Sequence, residues 1–293
     1  MTCCRDDLAE KLREVGYYRL SAYWYPYKVR NGVGESFFKP GTTFDNVWRA
    51  YLFDRELQVL IFRAVSRIEV FLRGQLAYRA AELFGPFGYP EQDNPRLLRE
   101  YRLARKGEVY IRHFEQEYGD SHELPPYWMM VEASTMGTIE ALYLDADPSI
   151  RIGVANELGV KVPVFRNWLS VLRVARNACC HHARVWNRVW GVKPSIPKDW
   201  GTVEYGNDRT FAVLTVINHM LCQIDARNAW AREVDELLAE YADVEAAEKT
   251  GFSNDWRSLP GWRRQKLREV GNLFCDSSRR LRFPVAKPLL SEV

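Results

Sequence analysis

The stretch PVFRNWLSVLRVARNACCHHARVWNRVWG, Pro163 to Gly191, decides how the chain is read. Turned at about 100° per residue as one unbroken α-helix, it separates into two faces. Arg166, Ser170, Arg173, Asn177, His181, Arg184 and Arg188 follow one another at intervals of three or four residues and form a polar stripe about 80° wide. Trp168, Val171, Val174, Ala175, Ala178, Val185, Trp186 and Val189 take the opposite side, the pattern of a helix that packs on a core.

The stripe holds four arginines, a serine, an amide and an imidazole, and no acid of its own. Such a face suits phosphate. His181 lies on it with Asn177 one turn below, whereas His182 points to the apolar face and reads as a core imidazole, with a supporting role behind His181 as its functional alternative. Arg176 precedes His181 by five residues, about 140° round an ideal helix. Either its side chain bends round, the helix is distorted, or Arg176 meets a histidine of a second subunit.

These residue types fit RNA cleavage without a metal. A base must take the 2′-hydroxyl proton, an acid must protonate the leaving 5′-oxygen, and a cation must meet the charge that builds on the phosphate. Histidine, with a reference pKa near 6.5, serves either proton role near neutrality. Arginine stays charged and donates two parallel hydrogen bonds to phosphate. Cys179, Cys180, His181 and His182 are consecutive, so on a helix they radiate outward and cannot close round one ion; no metal and no cofactor is expected.

Earlier in the chain, Thr42, Thr43 and Asp45 open a long helix from Asp45 to Phe84, stopped by Gly85 and Pro86. Before it, the aromatic-rich first forty residues read as a short helix and a β-hairpin that turns at Asn31 and Gly32. Residues 85 to 95 are a Gly/Pro linker. The following helix carries Arg99, Arg102 and Lys106 at helical spacing, a candidate phosphate-contacting stripe. Further helices begin at Pro125 and Pro126 and around Phe211, and a basic tail holds Arg263, Arg264, Lys266, Arg279, Arg280 and Arg282.

The 41 basic residues are 31 arginines and 10 lysines, a bias that suits phosphate and that a GC-rich genome also produces. A net charge of +3 over 293 residues is too small to prove a nucleic-acid partner. No apolar run reaches membrane-spanning length and the first residues carry charge, so the chain is placed in the cytoplasm, away from membranes. Six cysteines are too few for a disulfide scaffold. No phosphate loop of the nucleotide-hydrolase type is present.

Four blocks then carry a resemblance: VGYYRLSAYWYPY, GTTFDNVWRAYLFDREL followed by RIEVFLR, YWMMVEASTMGTIEALY, and WLSVLRVARNACCHHARVWNR, with GFSNDW near residue 251. In this order they are similar to the signatures of bacterial abortive-infection proteins of the Abi-D/F type, over about residues 8 to 260. That group resembles the HEPN domains, whose motif of an arginine, four to six residues and a histidine maps onto Arg176 and His181, with Asn177 as the polar residue after the arginine.

The resemblance implies an all-α, HEPN-like helical bundle and metal-independent RNA cleavage that leaves a 2′,3′-cyclic phosphate. It also implies a site completed by a homodimer, a role in phage defence, and control by a structured noncoding RNA. The expected division is an N-terminal helix and hairpin element over 1–42, a helical domain over 43–247 with additional C-terminal helices, and a basic extension over 248–293. Arg176, Asn177 and His181 are the expected catalytic residues, and Arg166, Arg173, Arg184, Arg188, Arg99 and Arg102 the expected RNA contacts. The competing reading is a protein that binds a structured RNA without cutting it.

Overall fold

The computed structural model describes residues 1–30, 34–88, 95–200 and 206–262. The turn at Asn31 and Gly32, most of the Gly/Pro linker and the basic tail from Arg263 onward lie outside the described residues. Met1–Arg263 make one compact unit.

The architecture is all-α, with one two-stranded sheet among the described residues. Helix α1 (Arg5–Val15) ends at Gly16, whose φ of 86° lets its N–H return to Leu12 before α2 (Tyr17–Trp24) begins. α2 turns Leu20, Tyr23 and Trp24 inward. Strands β1 (Lys28–Arg30) and β2 (Ser36–Phe38) pair antiparallel with Lys28 opposite Phe38, which is the hairpin expected from sequence.

The spine is α3 (Phe44–Phe84), 41 residues and so about 60 Å long. Thr43 caps it by accepting from the Asn46 amide, while the Asn46 side chain accepts from the Thr43 amide, so two of the orphan donors at the helix start are satisfied reciprocally. Phe53, Leu57, Ile61, Val65, Ile68, Leu72 and Leu76 are buried along it, against α2, α6 (Tyr127–Glu132), α8 (Pro148–Glu157), α9 (Val162–Cys180), α10 (Thr210–Ile224) and α11 (Trp230–Glu240). Neighbours on several sides explain why α3 lacks one clean apolar stripe. Val59 and Phe62, both apolar, are nevertheless left 52% and 41% exposed.

Helices α4 (Pro95–Gly107) and α5 (Val109–Tyr118) pack on each other, and α7 (Met136–Asp145) packs on α9. The last described elements are α12 (Ala246–Thr250) and the segment up to Trp262, where Phe252, Trp256 and Trp262 cluster with Phe211 and Trp230. One apolar core runs from Leu20 to Trp262. Among the described residues no helix is long and apolar enough to cross a membrane.

The helix expected from Pro163 to Gly191 is shorter than the sequence pattern suggests. It stops at Cys180, and His182 and Asn187 take left-handed φ angles of 54° and 49°. Trp168, Val171, Ala175 and Ala178 are buried as an inward helical face, but Val185 and Trp186 reach the core from irregular chain and Val189 is exposed. The amides that would have continued the helix have other acceptors: those of Val185 and Trp186 both donate to Asp54 Oδ1.

Candidate functional site at the end of α9

The end of α9 is a left-handed cap built without glycine. His181 N donates to Asn177 O at 3.0 Å, His182 N to Cys179 O at 3.0 Å and Ala183 N to Ala178 O at 2.8 Å. The last two bonds are the pair that closes a Schellman motif, with His182 in the position glycine usually fills. A bulky residue there is held by its surroundings, not by its own preference.

Those surroundings are α2 and α3. Arg19 Nη1 donates to His182 O at 2.7 Å, and Arg184 Nη1 donates to Ala22 O. Asp54, with no exposed surface, accepts from Val185 N, Trp186 N, Tyr23 Oη at 2.6 Å and Gln58 Nε2 at 2.8 Å. Burial pushes the Asp54 carboxyl above its ordinary range, against the pull of these four donors. Burial, followed by the nearby Asp54 charge, also raises the Tyr23 phenol, and the same two causes push the Cys179 thiol up to about 12.

The turn so fixed exposes both imidazoles. His181 is exposed as expected, but His182 is not the core residue its helical phase suggests. Once the chain turns left-handed at His182, that phase no longer applies, and the side chain lines a cleft with Arg55, Val59, Phe62 and Cys180.

Arg176 is half-buried and faces α3, where its Nε lies 4.0 Å from Glu69 Oε2. Glu69 is itself held by Arg73, which donates to Glu69 Oε1 and to the carbonyls of Val131, Glu132 and Ser134, each at 2.6 Å. Arg176 Nε is buried and has no hydrogen-bond partner among the described residues. Asn177 is half-buried on the next position round the helix.

The stripe is less cationic in space than in sequence, because another helix brings an acid to it, and Arg176, off the stripe, also has an acid beside it. Glu140 of α7 accepts from Ser170 and from Arg173, and Glu69 of α3 stands by Arg176. Arg166 is exposed near the start of the helix. Past the helix end, Arg188 donates to Arg184 O at 3.2 Å and lies 4.4 Å over the Trp190 ring. Arg173 and Arg99 come together in a cleft of about 510 Å³ that Arg96, Glu100, Thr138 and Glu140 also line. Arg102 is exposed on α4, outside that lining.

Sequence reading missed Asp54, Gln58, Glu69, Arg73 and Glu140. A signal was available for two of them: Asp54 falls between Phe53 and Leu57 on the buried phase of α3, where a carboxylate needs donors, and Glu69 stands four residues before Arg73.

The polar network joins the quoted sequence runs to one another, and the same region is what relates the chain to known proteins. The family model described as Abi-like protein matches residues 10–187, from α1 to just past the histidine turn. The chain belongs to that family. No curated protein and no solved structure is similar enough to this Abi-like protein to count as a match. Membership implies a role in abortive infection, a form of phage defence.

Proposed function

We propose that this Abi-like protein is a metal-independent endoribonuclease of phage defence, acting in the cytoplasm on RNA. The reading is supported above all by two exposed, consecutive imidazoles on a turn pinned by Asp54 and Arg19, just beyond an arginine whose Nε, 4.0 Å from Glu69, has no hydrogen-bond partner among the described residues. His181 exchanges protons with the reacting oxygens, Arg176 meets the phosphate, and Asn177 orients the imidazole or holds the ribose. The 2′-oxygen bonds to phosphorus as its proton passes to a base, and the bond from phosphorus to the 5′-oxygen breaks as an acid supplies a proton there. The products are a 2′,3′-cyclic phosphate and a 5′-hydroxyl. Arg166, Arg173, Arg184, Arg188, Arg99 and Arg102 guide the strand, and the active form is a homodimer.

A second reading has its own support. Glu140 and Glu69 partly neutralise Arg173 and Arg176, and the cleft at Arg99 lies at Arg173, away from the histidine turn, so the chain also suits a role of holding a structured RNA without cutting it.

The test is incubation of purified protein with single-stranded RNA in EDTA. Cleavage with cyclic phosphate ends, abolished by His181→Ala at unchanged thermal stability, is the expected outcome. A magnesium requirement with 5′-phosphate products would refute the mechanism, and tight binding without cleavage would favour the second reading.

A further inference from the structure

Between α3 and the end of α9 lies a second cleft, of about 290 Å³. Its wall on α3 is Val59 and Phe62, apolar side chains left 52% and 41% exposed on the longest helix of the fold. Cys180 and His182 close the opposite side. Its polar groups are specific in kind. Arg55 has no hydrogen-bond or ion-pair partner among the described residues, and no carboxylate lines the cleft among them. Gln58 donates its Nε2 to the buried Asp54 carboxylate, which leaves Oε1 as an acceptor.

A lining almost wholly of apolar surface, with the exposed Arg55 and the Gln58 oxygen among its polar groups, suits the flat face of a heterocycle that carries a polar edge. Location adds to chemistry. Cys180 stands four residues above Arg176, on the same face of α9, so a strand whose phosphate meets Arg176 has the base of an adjoining nucleotide beside the cleft.

We propose that this cleft is a base subsite, which takes one unpaired nucleobase stacked on Phe62 with its edge between Arg55 and Gln58. It rests on the proposal that the chain acts on RNA, and it gives that site a means of choosing where along a strand it works. A second copy of the chain is the competing occupant. It explains exposed apolar side chains, but gives no role to the Gln58 acceptor and the exposed Arg55, which no carboxylate accompanies in the cleft among the described residues.

The probes are short single-stranded RNAs carrying one 2-aminopurine at successive positions and a 2′-deoxy substitution at one linkage to block cleavage there. They are titrated with the full chain while fluorescence anisotropy and 2-aminopurine intensity are both followed. Anisotropy reports binding of the strand, and quenching at a single position reports the seated base. Phe62→Ala removes the quench and weakens binding about tenfold, equivalent to about 1.4 kcal/mol, which is within the range for one stacked base. Phe62→Trp retains both signals. Phe62 is partly exposed, so neither substitution opens the core.

Binding seen by anisotropy with no position quenched, or a quench that survives Phe62→Ala, overturns the subsite and leaves the RNA reading standing. A Phe62→Ala chain that dissociates from dimer to monomer in sedimentation while the quench persists assigns the cleft to a second copy. No anisotropy change with any strand removes the RNA reading and the subsite with it.

Discussion

Asp54 is a carboxylate without exposed surface, and everything it touches donates to it. Its two oxygens divide the work: one takes the Val185 and Trp186 amides, the other the Tyr23 hydroxyl and the Gln58 amide. An amide at this position carries only one acceptor oxygen, so Asp54→Asn leaves one pair of donors facing an NH2 group. Stability is expected to fall by about 2–3 kcal/mol, the cost of lost charge-assisted bonds and an unsatisfied buried donor, read as a lower urea midpoint at unchanged m-value. Tyr23→Phe removes a single donor and should cost about 1 kcal/mol. The neighbouring residue whose cost is conformational is His182. Its φ of 54° is one that glycine adopts freely, so His182→Gly should raise stability by about 0.5–1 kcal/mol, whereas His182→Ala keeps the strained conformation and gains nothing. Equal stability of the two variants in thermal melts would show that the turn relaxes when the imidazole is lost. The buried carboxylate was missed although LFDREL places an acid in an apolar phase, and its partners carried no signal at all, since two of them are backbone amides about 130 positions away.

Helix starts were easier to read than helix ends. Thr43 and the Pro163 region announce α3 and α9, because capping and proline act locally. The end of α9 carries no glycine before Gly191, and the apolar period continues through Val185, Trp186 and Val189, so the sequence gives no local reason to stop at Cys180. The stop is tertiary: Asp54 of α3 and Arg19 of α2 hold the chain in the turn. The acids near α9 carried no signal for the same reason, since Glu140, which pairs with Arg173, and Glu69, beside Arg176, belong to other helices. Elements are also tied at the opposite face of α3, where Arg49 donates twice to Asp243, at 2.6 and 2.8 Å, and once to Glu240 O at 2.9 Å. Its hydrogen bond holds the Asp243 carboxyl below the ordinary carboxylate range. A depressed folded-state value means that the stabilisation is present above the unfolded value, about 3.9, and is lost as pH falls through the lower folded value. Asp243 is 46% exposed, so solvent screening limits the effect to about 0.5–1 kcal/mol. Asp243→Asn should therefore lower stability by that amount at pH 7, and the difference from the parent chain should shrink towards zero as the medium is made more acidic than pH 3.9. A difference that stays constant with pH would show that packing, not charge, is what the substitution removes.

At the scale of the whole molecule, the all-α fold and the family were both legible, the fold from helical periodicity and the family from four short blocks in order, and residues of these blocks meet in the polar contacts around α3 and α9. Tyr23 and Asp54 reach the histidine turn, while Glu69 and Arg73 reach Arg176 and the end of α6. What the runs could not give is how many chains make one site. Arg176 turns towards Glu69 on α3, and it precedes His181 by about 140° round an ideal helix, an arrangement that the proposed homodimer would resolve by pairing the arginine of one copy with a histidine of the other. One chain nevertheless exposes two imidazoles, enough for a base and an acid. The two arrangements differ in how activity depends on composition. Active chains mixed with an excess of the Arg176→Ala/His181→Ala double variant, under conditions of subunit exchange, should lose activity on one RNA with about the square of the active fraction if both halves must be intact. Exchange is checked separately with fluorescently labelled chains, so that slow mixing is not mistaken for independence. The homodimer predicts the square law. A loss in simple proportion, with exchange established, would assign both proton transfers to His181 and His182 of a single chain. His182→Gly, which keeps the turn, would then abolish cleavage as completely as His181→Ala.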